Sequence, residues 1–197
     1  MSQYICVDIG GTSIKHGVLD ENAIIKECNQ TKTEAWLGGA AVLDKVKTIG
    51  KQYKEQYENI EGICISTAGM VDPEEGKIVF AGELMPGYTG TCIKKELEKA
   101  LEMPCEVEND VNCAGLAEYV SGSAKESHIM FCATVGTGIG GCAIVNGRVF
   151  HGASNSACEV GYIPMGDSDF QTLGASSILV RKVAEKKIEP LDMWDGK

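Results

Sequence analysis

The chain has 197 residues, of which 44% are hydrophobic and 23% charged. That composition allows one large or two small packed domains and excludes a mostly disordered chain. The net charge of −10 comes without any stretch that concentrates Lys and Arg, which argues against nucleic acid or an anionic membrane as partner, and no apolar run is long enough for a membrane-spanning helix.

Gln3 to Asp8 reads as an apolar strand that runs into Gly10-Gly11-Thr12, and a second strand-like run, Ile14 to Leu19, follows at once. Two strands joined by a Gly-Gly turn predict a hairpin, not a strand-to-helix phosphate loop. Asp20-Glu21-Asn22 is a turn signal, and Ala23 to Cys28 a third strand. Residues 35 to 57 carry helical spacing through Val42, Val46, Ile49, Tyr53 and Tyr57. Ile60 to Ser66 is short and apolar, the pattern of a strand in a covered sheet. Thr67 to Met70 is predicted as a loop and Asp72 to Gly76 as a turn. Thr91 to Leu101 is a second helix, and Cys105 to Glu108 is a strand ending in Asn109-Asp110. Asp110 is placed to cap a helix from Val111 to Val120. Ser121-Gly122-Ser123 breaks the pattern and is the expected domain boundary. After it come a strand from Ile129 to Thr134, the run Gly136 to Gly141, and a hairpin of Cys142 to Val145 with Arg148 to Phe150 about Asn146-Gly147, a type I′ signal. A last helix is expected over Ala175 to Lys187. The order β-β-β-α-β-α-β-α restarts as β-β-β after residue 128, which suggests a duplicated α/β unit with a cleft between the copies.

The nine cysteines are Cys6, Cys28, Cys64, Cys92, Cys105, Cys113, Cys132, Cys142 and Cys158. None forms a C-x-x-C pair, so the zinc spacing signal is absent. Most lie in apolar runs and are expected to be buried, reduced thiols. With an odd count and no signal peptide, a cytoplasmic location is expected.

Four motifs carry chemistry. In Asp8-Ile9-Gly10-Gly11-Thr12-Ser13-Ile14-Lys15, glycines let backbone N–H groups approach a phosphate, and Asp8 can hold magnesium through water. The bland alternative is a tight hairpin with no ligand. The run Val135 to Gly141 repeats that chemistry and leads into a strand, which argues against a dinucleotide fold. Two such loops suggest two jaws on one polyphosphate. In Glu108-Asn109-Asp110-Val111-Asn112, Asp110 reads equally as a helix cap or as a base that takes a proton from a substrate hydroxyl. In Ser156 to Tyr162, Glu159 lies among small and apolar residues, where an unpaired carboxylate is costly. It reads either as a ligand to a buried hydroxyl or as a surface loop residue.

Together these motifs resemble the ROK family of sugar kinases, from about residue 4 to about residue 187. The resemblance implies an actin-like ATPase (ribonuclease H-like) fold with duplicated β-β-β-α-β-α units around a cleft. The units expected are 1–120, a small N-terminal α/β domain, and 121–197, the start of a larger, incomplete one. It implies ATP and Mg2+ as cofactors, a small-molecule sugar substrate, and a possible homodimer. Asp110 would be the catalytic base and, with Asn109 and Glu159, would bind sugar hydroxyls, with Gly69 lining the pocket. Gly10, Gly11, Thr12, Lys15, Gly136, Thr137 and Gly138 would hold the ATP phosphates. Three departures stand out. Tyr162 replaces the family's frequent His and no Cys cluster follows, so no structural zinc is expected; a zinc-free subgroup that includes β-glucoside kinases shows a similar Tyr. Glu83-Leu84 precedes Pro86-Gly87-Tyr88 where the family has Asn-Leu, which leaves the sugar open. The Gly-rich adenosine segment and closing helix of the family are not visible before Lys197, so an N-terminal fragment is expected. Other readings are an inactive sugar-binding protein and a sugar-responsive regulator. Family regulators carry a helix-turn-helix before the first strand, for which the start at Gln3 leaves no room.

Overall fold

The computed structural model describes residues 1–185. The chain forms two compact units, Met1–Cys113 and a second from Ala114 onward. The elements of the first unit are β1 (Gln3–Ile9), β2 (Ser13–Asp20), β3 (Ile25–Lys32), α1 (Gly39–Gln56), β4 (Ile60–Thr67), β5 (Met70–Asp72), β6 (Lys77–Phe80), α2 (Ile93–Leu101) and β7 (Cys105–Asn109). Helix α3 (Asp110–Val120) contains the change of unit. The second unit holds β8 (Ile129–Val135), β9 (Ile139–Val145), β10 (Arg148–Val149), β11 (Pro164–Met165), β12 (Ser168–Asp169), α4 (Phe170–Gly174) and α5 (Ser176–Glu185).

The first unit is built on a five-stranded sheet of order β3-β2-β1-β4-β7. β1 pairs antiparallel with β2 and parallel with β4, and β4 pairs parallel with β7. Alternation along the strands explains which face is packed. Ile5, Val7 and Ile9 of β1, Ile63 and Ile65 of β4, and Val107 of β7 are all buried. They share one apolar core with Val42, Val46, Ile49 and Tyr53 of α1 and Ile93, Leu97 and Leu101 of α2. The helical spacing read from the sequence therefore marks the core face. α1 itself starts at Gly39, because Ala35–Leu37 make a separate 3-10 turn. Gly38, at φ +88°, divides the two in a conformation that a helix does not use.

Two expectations change. The sequence predicts a covered β4; its Ile63–Ile65 face is packed, whereas on the other face Gly62 is buried and Cys64 is exposed. The cysteines are free, yet only Cys105 and Cys142 are buried; Cys28 and Cys64 are exposed and the other five lie between. Apolar neighbours in a strand alternate faces, so they do not report the burial of the residue between them. The segment after β4 is also more ordered than a loop: β5 and β6 pair antiparallel around the expected turn, where Asp72 Oδ1 accepts the Glu74 and Glu75 N–H groups at 3.0 and 3.2 Å.

In the second unit β8, β9 and β10 form an antiparallel sheet of order β10-β9-β8. Asn146 and Gly147 both have positive φ (49° and 79°), the type I′ hairpin turn expected from Asn-Gly. Residues 186 and 187 of the expected last helix lie outside the described residues. Among the described residues no helix is long and apolar enough to cross a membrane.

Leu97 is fully buried between α2 and the rest of the first core. Leu97→Ala is expected to destabilise the chain by about 2–5 kcal/mol, read as a lower urea midpoint at unchanged slope. An unchanged midpoint would place α2 outside the core.

Candidate active site

The parallel strands β1, β4 and β7 end in register: Ile9 pairs with Thr67, and Thr67 with Asn109. The residues that follow, Gly10, Ala68 and Asp110, therefore leave the sheet along one edge. In α/β sheets that edge, at the carboxyl ends of the strands, is where ligands bind.

At the first of these strand ends the turn between β1 and β2 is closed by Gly10 N–H to Ser13 O at 3.1 Å. Thr33, fully buried, straps the turn from behind: its Oγ1 donates to Gly10 O at 2.6 Å and its N–H to Thr12 O at 3.1 Å. With carbonyls tied back, an anion approaching from the open side meets backbone N–H and the Thr12 hydroxyl instead. Gly11 has an ordinary φ, and a Cβ added there would meet nothing within 4 Å. The fold does not require glycine at that point, while an approaching ligand would. Asp8 accepts the Ser66 hydroxyl on Oδ1 at 2.8 Å, and its Oδ2 lies 4.0 Å from Lys15 Nζ.

At the end of β7 the capping role falls to Asn109, not to Asp110 as expected. Asn109 Oδ1 accepts the N–H groups of Val111 (2.9 Å) and Asn112 (3.1 Å), while its Nδ2 donates to Gly69 O (2.9 Å) and Asp110 Oδ1 (3.0 Å). All four hydrogen-bonding positions of the amide are engaged. The physical reason is position: Asn109 is the last strand residue, and Asp110 is already in the first turn of α3. Asp110 Oδ1 also accepts the Val111 N–H at 2.9 Å, and its own backbone N–H bonds the carboxylate as well. The Asp110 side chain reaches solvent, yet the surrounding protein holds its carboxyl above the ordinary aspartate value. Partial desolvation is the main cause and the Asp8 charge adds to it; the Val111 N–H and Asn109 amide oppose. Gly69, at φ +100°, aims its carbonyl at Asn109, and a Cβ there would lie 2.7 Å from Phe80 O. The segment around Pro86 is tied to β4 through a buried 2.7 Å hydrogen bond between Tyr88 OH and Thr67 Oγ1.

The second unit repeats the device. The β8–β9 turn is closed by Gly136 N–H to Gly138 O at 2.9 Å. Ser176 Oγ donates to Gly136 O at 2.7 Å and Ser177 Oγ to Thr137 O at 2.6 Å, so the first residues of α5 tie back these carbonyls as Thr33 does in the first unit. Gly136, like Gly11, has an ordinary φ and open space where a Cβ would be. Glu159 is half-buried, just before a 3-10 turn, Val160–Tyr162. That turn lies against β9, where a Cβ on Gly161 would come within 2.3 Å of Ile139 O and one on Gly141 within 2.6 Å of Cys158 O. Tyr162 is exposed. Thr33, Ser176 and Ser177 were not singled out in the sequence. Their partners lie 23 and 40 residues away, and a hydroxyl residue in a polar stretch carries no local signal of such a contact.

The family model described as the ROK family matches residues 4–175. The chain belongs to the ROK family. A protein of uncharacterised function from Clostridium perfringens is 49% identical over the whole chain, which covers 66% of that protein. A β-glucoside kinase of Listeria monocytogenes is 33% identical over 79% of the chain and 51% of its own length. Among solved structures, a ROK family glucokinase from Streptomyces griseus, in complex with glucose and AMPPNP, superposes with TM-score 0.83 at 27% identity over 94% of the chain and 61% of that protein. A ROK family transcriptional regulator at 19% identity (TM-score 0.78) shares the fold. The fold is thus the actin-like one expected for a ROK chain. The chain spans about half the length of the curated kinases it matches.

Because Asn109 caps α3, Asn109→Ala is expected to cost about 0.5–2 kcal/mol in chemical denaturation. Asp110→Asn would leave that cap in place. A larger loss for Asp110→Asn than for Asn109→Ala would reverse the assignment.

Proposed function

We propose that this ROK chain is the N-terminal part of a kinase that moves the γ-phosphoryl of ATP onto a sugar hydroxyl. The observation that carries the reading is the division of work between Asn109 and Asp110: Asn109 accepts both the Val111 and Asn112 N–H groups, while Asp110 shares only the first of them and leaves its exposed carboxylate beside a glycine-rich strand end.

In this reading Asp110 Oδ2 takes the proton of the attacking hydroxyl, and its raised pKa brings it closer to that task than an ordinary aspartate. A sugar hydroxyl reaches Asn109 only by displacing or sharing one of its four bonds, so the role assigned to Asn109 is chiefly to orient Asp110 and the Gly69 carbonyl. Glu159 accepts from a further sugar hydroxyl. Gly10, Gly11, Thr12 and Lys15 in the first unit, and Gly136, Thr137 and Gly138 in the second, bind phosphate oxygens. The donor set at Asp8 suits magnesium: one carboxylate, with no cluster of three or more ligating residues among the described residues, fits an ion that keeps most of its waters and is otherwise held by phosphates. When bound, that ion neutralises charge on the triphosphate.

A reading as sugar-binding protein without turnover draws on the same fold in a transcriptional regulator. The decisive measurement is a coupled ADP-release assay with Mg-ATP and glucose, N-acetylmannosamine, fructose or β-glucosides, on this chain and on a version extended to the length of its relatives. Turnover is expected in the extended protein. Silence in both, with sugar binding still seen by calorimetry, would overturn the kinase reading. Asp110→Asn should lower kcat by about 10²–10⁴-fold with sugar affinity little changed. Asp110 acts ionised, so turnover should fall as pH drops through its raised pKa, with an acid limb above the ordinary aspartate range. Gly11→Ala should leave stability unchanged or slightly higher, by about 0.4–1 kcal/mol, yet weaken ATP binding. Full ATP affinity in a folded Gly11→Ala protein would remove this loop from the phosphate site.

A further inference from the structure

The face of the first sheet opposite the core holds a pair of thiols that the kinase reading does not use. Cys6 of β1 is the register partner of Cys64 of β4. The flanking residues Ile5, Val7, Ile63 and Ile65 are buried on the core side, so alternation sends both thiols to the other face. Neighbouring strands run about 4.7–4.9 Å apart, within the roughly 4.4–6.8 Å between Cα atoms that a disulfide spans. The next register pair along that face, Asp8 with Ser66, already brings its side chains into contact at 2.8 Å. Cys64 is exposed and Cys6 partly so.

We propose that Cys6 and Cys64 form a redox-active dithiol pair, closed to a disulfide by exchange with a low-molecular-weight disulfide and reopened by thiols. Cys64 is the attacking thiol because it is the exposed member. It is also held down to about 7 by a hydrogen bond from Cys6, against the opposing effects of desolvation and of Glu106. The Cys64 thiolate attacks one sulfur of the small disulfide; that S–S bond breaks, and the released thiolate takes up a proton. Cys6 then loses its proton to solvent and attacks Cys64 Sγ, expelling the second small thiolate, which is protonated in turn. Two electrons pass from the protein thiols to the small disulfide, which ends as two thiols. Cys113 is the nearby competitor, since it interacts with Ser66, but it lies on α3 and is not a register partner of Cys64 as Cys6 is. The new bond would lie one step along the face from the Asp8–Ser66 contact, so the base of the first glycine loop would feel it first. The inference stands whether or not the kinase reading holds.

The test is peptide mapping of the chain after incubation with oxidised glutathione near neutral pH, alkylation of remaining thiols and trypsin digestion. Residues 1–15 and 55–77, which carry Cys6 and Cys64 on separate peptides, are expected as one cross-linked species two hydrogens lighter than their sum, returned to two peptides by dithiothreitol. In Cys6→Ser, Cys64 should instead accumulate as a mixed disulfide with glutathione. Cys64 left unmodified, held only as a mixed disulfide in the unaltered chain, or joined to Cys28 or Cys113 would overturn the proposal. The mapping of the unaltered chain decides it even if a variant fails to fold.

Discussion

The arrangement rests on the parallel pairing of β1, β4 and β7. Their registers bring Ile9, Thr67 and Asn109 into one line, and each chain segment that follows carries chemistry: the Gly10 turn, the Gly69 bend and the start of α3. Parallel strands must be joined by crossovers, and here α1 connects the β1–β2–β3 meander to β4, while α2 leads into β7. The core of the first unit is the contact of those two helices with one face of the sheet. A slip of one residue in β4 or β7 would turn Ile63, Ile65 or Val107 out of the core. The apolar pattern therefore holds the candidate site in place.

Within that frame both glycine turns are prepared in the same way. Hydroxyl side chains from a later element bind the carbonyl oxygens, Thr33 in the first unit and Ser176 with Ser177 in the second. A carbonyl dipole aimed at a phosphate would repel it, and tying back the carbonyls of Gly10, Thr12, Gly136 and Thr137 lowers that repulsion. Preorganisation of this kind needs no movement when an anion arrives. The Asn109 amide does related work at the end of β7, where one side chain caps the helix, fixes the Gly69 carbonyl and steadies Asp110.

Much of this was legible in the chain itself. Strand and helix positions followed from apolar spacing, and the turns at Gly10-Gly11-Thr12, Asp72 to Gly76 and Asn146-Gly147 from glycine, proline and asparagine chemistry. Where local signals were thin, the reading fell short. The pairs β5–β6 and β11–β12 are two to four residues per strand, too short for alternation to register. The start of α1 was placed too early because Ala35 to Leu37 are compatible with a helix, and only the φ of Gly38 separates them. The apolar neighbours of Cys64 suggest burial, yet they lie on the opposite face of β4 and Cys64 itself is exposed.

The sequence by itself determined the kinds of chemistry present, namely two glycine-threonine turns, a carboxylate at a strand end and a glutamate among small residues, because these depend on residue type and short spacing. Tertiary structure decided which residue does which task. Asn109 and Asp110 are adjacent and both can cap a helix; the choice was made by where β7 stops and by the Gly69 carbonyl, 40 residues away in sequence. Likewise the Thr33 strap and the pairing of Cys6 with Cys64 arise from strands brought side by side. Hydrogen bonds and thiol contacts reach only a few ångströms, so partners far apart in the chain become visible only once the fold has placed them together.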